Sequence, residues 1–162
     1  MQYLLDTVAV VRHFTGSGKI GKKAVAILDS QSDSNHVFMI SVISLMEIMY
    51  LAEKKRISIH FNETLDRLER SSSYVIIDLN KEILKAAHTF QFPDLHDRLI
   101  LATAKWLDIP VISSDQQFAS VEGSGCCLVM LKNLPVHLSD PIFQCVGASG
   151  NSFFPAIRRK SS

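Results

Sequence analysis

The segment that decides the fold class is PDLHDRLILATAKWLDIPVISSD, residues 93–115. Apolar residues recur at near-helical spacing between Leu95 and Trp106, and this pattern predicts a helix over residues 94–107. The apolar run at residues 111–113 predicts a short buried strand. A helix that leads directly into such a strand is typical of the crossovers that join parallel strands.

The rest of the chain repeats this alternation of short apolar runs and amphipathic segments. We predict strands at residues 2–5, 37–40, 74–77, 111–113 and 127–131, and helices at residues 8–14, 22–28, 44–55, 61–68, 81–90 and 94–107. Parallel neighbours need crossover connections, so we expect an α/β fold of three layers, α/β/α, around a central parallel sheet of about five strands.

The composition fits one domain. The chain has 162 residues, of which 47% are hydrophobic, enough for a single core. We assign residues 1–131 to this domain. Residues 132–162 contain three of the five prolines and are expected to form a C-terminal tail that could be flexible. The net charge is +1, so any surface that binds nucleic acid must be local.

No feature of the sequence indicates export or a membrane span. Asp6 interrupts the first apolar run, and the apolar stretch at residues 37–51 is shorter than the roughly 20 residues of a spanning helix. Cys126, Cys127 and Cys145 form no CxxC pair, which fits reduced thiols. We therefore expect a soluble, intracellular, cytoplasmic protein with no membrane partner.

Four acidic residues stand where predicted strands give way to helices: Asp6, Glu47, Asp97 and Asp115. Taken singly, each is better explained as a helix cap. Ser44 and Glu47 have the spacing of a capping box, and Asp94 and Asp97 imitate it. Asp78 also follows a strand, and we interpret it as the cap of the next helix.

Their joint placement favours a second interpretation. Ligands of open parallel sheets bind outside the carboxyl ends of the strands, where all four acids are predicted to lie. Carboxylates gathered there would raise one another's pKa values unless a cation compensated for their charge. An all-oxygen cluster suits a hard cation such as Mg²⁺ or Mn²⁺.

Four elements together resemble the PIN-domain ribonuclease family, and in particular its VapC-like toxins. They are YLLDT at residues 3–7, SLME at 44–47, PDLHDRLILATA at 93–104 and IPVISSD at 109–115. The resemblance extends over about residues 1–131 and implies a sheet ordered 3-2-1-4-5. It also implies a metal-dependent endoribonuclease that belongs to a type II toxin–antitoxin system.

The resemblance further implies roles for individual residues. Asp6, Glu47, Asp97 and Asp115 correspond to the catalytic, metal-binding acids, with Asp6 and Asp97 as the principal ligands. Thr7, Ser113 and Asp94 correspond to supporting positions, although Thr is commoner than Ser at position 113. The tail beyond Lys132 has no counterpart in a minimal toxin of this family.

Partners are also implied by the resemblance: an antitoxin that covers the site, and a second copy in a homodimer. Ile43, Met46, Met49 and Tyr50 fit either such an interface or the core.

The RNA substrate would need cationic contacts. The candidates are Arg12, Lys19, Lys22, Lys23, Lys54, Lys55 and Arg56, and solvated helix faces explain them equally well. His96 is interpreted as solvated, with a weak claim to general-acid duty. Two rival functions stay open: a nuclease of RNA processing without an antitoxin, and a catalytically silent binding module whose acids only cap helices.

Overall fold

Parallel strands alternate with helices along the whole described part of the chain. The computed structural model describes residues 1–16, 22–29, 36–113, 118 and 129–130. The strands are β1 (Gln2–Leu5), β2 (Val37–Ser41), β3 (Tyr74–Ile77), β4 (Val111–Ser113) and β5 (Val129–Met130). The helices are α1 (Thr7–Thr15), α2 (Lys22–Asp29), α3 (Val42–Glu53), α4 (Phe61–Arg70), α5 (Lys81–Thr89) and α6 (Leu95–Leu107).

The strands form one parallel sheet in the order β3-β2-β1-β4-β5. Successive side chains of a strand point to opposite faces, and each face has its own core. Leu4 and Met39 pack with residues of α5 and α6, whereas Leu5 and Ile40 pack with residues of α1, α2 and α4. The predicted three-layer α/β fold and its strand order are thereby confirmed.

Local signals fix where α1 and α6 begin and end. The Asp6 side chain caps α1, and Gly16 ends it at a φ of 62°, a conformation that glycine adopts without strain. Asp94 caps α6, which ends at Asp108 with a φ of 54°. Both helices therefore begin at the carboxyl edge of the sheet with an acidic residue.

Two predicted caps are wrong. The helix predicted from residue 44 begins at Val42 and is capped by Ser41, so Ser44 and Glu47 lie inside α3 and cannot form a capping box. Asn80 caps α5, because its side-chain oxygen accepts hydrogen bonds from two backbone N–H groups there, whereas Asp78 is merely exposed.

The tail at residues 132–162 lies outside the described residues, so the division of the chain at residue 131 stays a prediction. Among the helices described, none has the length and apolar character needed to cross a membrane.

Candidate functional site

The centre of the site is the junction of β1 and β4, which are neighbours in the sheet. Asp6 follows β1 and is only 5% exposed. Its Oδ1 accepts a hydrogen bond of 2.6 Å from the backbone N–H of Ala9, and its Oδ2 accepts one from the hydroxyl of Ser113, the last residue of β4. The parallel pairing of these strands thus joins two residues that are 107 positions apart.

A second carboxylate reaches the same place from α3. Glu47 is 8% exposed, and its Oε2 accepts a hydrogen bond from the hydroxyl of Thr7. Thr7 directly follows Asp6, so this bond holds the Glu47 carboxylate beside the start of α1. Because Glu47 lies in the second turn of α3, only the packing of α3 against α1 brings it here.

The first turn of α6 completes the described part of the site. Asp94 Oδ1 accepts hydrogen bonds from the backbone N–H groups of His96, at 2.8 Å, and Asp97, at 3.2 Å. The ring of His96 lies between two acids, with Nδ1 at 3.5 Å from Glu47 Oε1 and 3.7 Å from Asp94 Oδ1. The α6 N-terminus is therefore in contact with α3.

The electrostatics of the site are seen most clearly at Glu47, where burial has the largest effect and neighbouring negative charges have a smaller one. The pKa of Glu47 is raised to about 7, chiefly by burial; the hydrogen bond from Thr7 lowers it, and the charges of Asp94 and Asp6 contribute to the rise. A carboxyl group with such a pKa is partly protonated at neutral pH when no cation is near. The shift also indicates that Asp6 and Asp94 lie close enough to Glu47 for their charges to affect its pKa.

The structure connects Asp6, Thr7, Glu47, Asp94 and Ser113 through the contacts above. Asp97 lies in the first turn of α6, next to His96. Asp115 lies outside the described residues. Within the described part of the chain, no group of three or more His, Cys, Asp or Glu side chains is already arranged to hold a metal ion. The assignment of all four acids as ligands therefore stays a prediction.

The donor chemistry nevertheless fits a hard divalent cation. Asp6 and Glu47 present buried carboxylate oxygens whose charges repel each other, and such oxygens are the ligands that Mg²⁺ and Mn²⁺ prefer. One turn before Glu47, the fully buried hydroxyl of Ser44 has no hydrogen-bond partner in the described structure.

The basic residues predicted to contact RNA are not gathered around the acids in the described structure. Arg12 is only 9% exposed, which limits its access to a bound chain. Lys54, Lys55 and Arg56 are exposed, but they follow α3, which runs from the acidic edge toward the opposite edge of the sheet. Lys19 lies outside the described residues, and of Lys22 and Lys23 the structure gives only their place in α2.

His96 lies closer to the acids than the sequence indicated. It was interpreted as solvated, yet its side chain is 24% exposed and lies beside Glu47. A usable signal was present, since His96 stands two positions after the acidic cap of α6 and one before Asp97.

Comparison with known proteins agrees with this architecture. A family model described as the PIN domain matches residues 3–124. The chain is similar to one chain of a solved toxin–antitoxin complex from Klebsiella pneumoniae, with 22% identity and a TM-score of 0.57 over 82% of this chain and 99% of that chain.

A second similar structure is VapBC2 from Rickettsia felis bound to a DNA fragment from its promoter. It has 19% identity and a TM-score of 0.58 over 79% of this chain and 97% of that one. At these identities the two structures inform on the fold alone. Comparison with curated protein sequences gives no match.

Proposed function

We propose that this chain, which belongs to the PIN domain family, is a metal-dependent endoribonuclease and the toxin of a toxin–antitoxin pair. The observation that carries the proposal is the buried Glu47 carboxylate, which is bonded to Thr7 and raised in pKa next to Asp6 and Asp94. Buried acids with strongly shifted pKa values are typical of functional sites.

Asp6 and Asp97 would hold the principal Mg²⁺ or Mn²⁺, with Glu47 and Asp115 positioning a second ion or the attacking water. When bound, such an ion supplies positive charge that activates water and offsets the charge developing on the phosphate.

The chain's own hydroxyl groups keep the carboxylates oriented. Ser113 and the backbone N–H of Ala9 donate to the two oxygens of Asp6, and Thr7 donates to one oxygen of Glu47, so that hydrogen bonds orient both acids. Burial of these pairs excludes bulk water, so electrostatic interactions within the site are stronger than in solution.

A protein partner is favoured by the surface of α3. Met46 and Met49 are exposed and Tyr50 is half-buried, whereas Ile43 belongs to the core and is not available to a partner. An antitoxin or a second copy would cover this apolar face. Both similar structures come from toxin–antitoxin systems, which supports an antitoxin as one occupant.

The nuclease activity is tested by sequencing the RNA ends that the purified protein generates with Mn²⁺ and with a chelator. We expect defined ends only with the metal, and their loss in Asp97→Asn. The matched control is Asp108→Asn at the opposite end of α6, where Asn tolerates the left-handed conformation. Equal cleavage with and without chelator would refute the metal-dependent mechanism.

The toxin role is tested separately in cells. Expression should arrest growth, and the product of a neighbouring gene should reverse the arrest. Active nuclease without arrest would instead indicate RNA processing. Calorimetry that detects no Mn²⁺ binding, together with no cleavage, would indicate a binding module whose acids act only as caps.

A further inference from the structure

The carboxylate of Glu47 is contacted on both of its oxygens by residues of other helices. The hydroxyl of Thr7, the first residue of α1, donates to Oε2, and Nδ1 of His96, in the first turn of α6, lies 3.5 Å from Oε1. The terminal torsion of a Glu side chain has only a broad preference of its own, so burial alone does not fix the plane of the carboxylate. The contacts on the two oxygens are therefore what orients Glu47.

His96 is itself held in place by the start of α6. Its backbone N–H donates to Oδ1 of Asp94 at 2.8 Å, and its Nδ1 lies 3.7 Å from the same oxygen. The side chain of His96 is only 24% exposed, so it is not the solvated residue of an open helix end. The ring consequently lies between the carboxylates of Glu47 and Asp94, at separations that are usual for an ion pair.

The ring counters the repulsion between these two carboxylates. The charge of Asp94 disfavours the charged form of Glu47, whereas an N–H group between the two acids favours that form. An Nδ1–H is present in the protonated ring and also in one of the two neutral tautomers. The contact with Glu47 therefore does not require a charged imidazole.

We propose that His96 is a positioning residue, which holds the Glu47 carboxylate in the orientation that RNA cleavage requires. The packing of α6 against α3 brings the two side chains together. His96 acts through Glu47 and makes no contact of its own with the substrate or with an ion. The inference rests on the proposed nuclease function, because a rate of cleavage is what the orientation of Glu47 would change.

Steady-state cleavage with Mn²⁺ tests the proposal on the full chain, with a mixed-sequence single-stranded RNA that contains every dinucleotide as the substrate. His96→Phe keeps a ring and removes both nitrogens. It should lower kcat by about ten- to a hundredfold and change KM less than about twofold, because a misplaced group slows the chemical step. His96→Asn, whose amide nitrogen can take the place of Nδ1, should keep at least about half of the wild-type kcat. The control His88→Gln, which alters an exposed histidine of α5, should equal wild type.

Combination with Glu47→Gln shows whether His96 acts through Glu47. In the Glu47→Gln background, His96→Phe should lower the residual kcat less than about twofold further, because the carboxylate that His96 orients is no longer there. Urea denaturation of wild type, the two single variants and the double variant in a chelator gives a measurement that needs no activity. The shift of the urea midpoint caused by His96→Phe should be larger in the wild-type background than in Glu47→Gln.

The outcomes separate this inference from the function on which it rests. Equal fold losses of kcat in the two backgrounds, a loss confined to KM, or a His96→Asn as slow as His96→Phe overturns the positioning role and keeps the nuclease. Wild type that cleaves no RNA overturns the proposed function, and equal midpoint shifts in the two backgrounds overturn the contact with Glu47 whether or not RNA is cleaved. If circular dichroism shows that His96→Phe is unfolded, His96→Ala takes its place with the same expectations.

Discussion

The two ends of α1 lie in opposite surroundings. At its start, Asp6 and Thr7 meet the Glu47 carboxylate, whereas at its end His13 lies 2.6 Å from the hydroxyl of Tyr74 and Phe14 packs on the Tyr74 ring. Burial raises the pKa of Glu47 and lowers the pKa of His13. In both cases desolvation penalises the charged form.

The difference is in what the neighbours do. His13 can stay neutral and still bond to Tyr74, within a cluster of rings that continues to Phe38 and Tyr3. At the acidic end, the negative charges of Asp94 and Asp6 also disfavour the charged form of Glu47 and raise its pKa. The aromatic end is therefore satisfied by its own residues, whereas the acidic end is where we propose that a cation binds. This division of roles can be tested at both ends.

The largest effect is expected at the acidic end. Asp6→Asn keeps the shape of the side chain and removes its charge, and should lower metal-supported RNA cleavage by about a thousandfold, equivalent to about 4 kcal/mol. Cleavage rates are compared with those of Asp78→Asn, which alters an exposed acid. Equal rates in wild type and Asp6→Asn would remove Asp6 from the site.

Removing a buried aromatic ring of the core should lower stability without changing metal binding. Phe38 is fully buried between Tyr3 and Tyr74 in the ring cluster, so Phe38→Ala should lower the free energy of unfolding by about 3 to 4 kcal/mol. Urea denaturation measures this loss, and Mn²⁺ affinity of the folded fraction should be unchanged. A specific loss of metal binding without destabilisation would contradict the separation.

The pH dependence of stability should depend on Glu47. Its folded pKa of about 7 exceeds the ordinary value of 4.5, so the contribution of Glu47 to the stability of the metal-free fold is fully present below pH 4.5 and is lost as the pH rises to 7. Glu47→Gln should therefore be more stable than wild type above pH 7, by about 2 to 3 kcal/mol, and similar below pH 4.5. Urea denaturation in the presence of a chelator, carried out above pH 7 and below pH 4.5, measures the free energy of unfolding of both proteins.

The control for this prediction is Glu53→Gln, an exposed residue at the end of the same helix. It should keep the wild-type dependence on pH. If wild type and Glu47→Gln lose stability in parallel between pH 4.5 and 7, Glu47 is not the group responsible.

The smallest effect is expected at the aromatic end. Burial, and then the charge of Arg67, lower the pKa of His13, while Asp29 opposes them, so stability is lost as the pH falls below the ordinary value of 6.5. In His13→Gln the melting temperature should fall less between pH 7.5 and 5 than in wild type. His60→Gln, at an exposed position, should resemble wild type; an unchanged drop in His13→Gln would rule out this contribution.

Local patterns predicted most of the elements and some of their ends. The spacing of Leu99 and Ala102 predicted α6, and Asp94 was correctly interpreted as a cap. The start of α3 was misjudged because Ser41 and Ser44 are both plausible caps. The cap of α5 was wrongly predicted to be Asp78 for the same reason. Asn80 is an equally suitable N-cap residue nearby, and only the backbone geometry shows which of the two caps the helix.

The sequence alone determined that strands and helices alternate, and hence that the sheet is parallel and that Asp6, Ser113 and the start of α6 share its carboxyl edge. Tertiary structure decided which groups meet there. Thr7 bonds to Glu47 across 40 positions, and His96 turns toward that carboxylate. Exclusion of water from Glu47, which sets its protonation, arises only when α1, α3 and α6 pack together, so no local pattern could encode it.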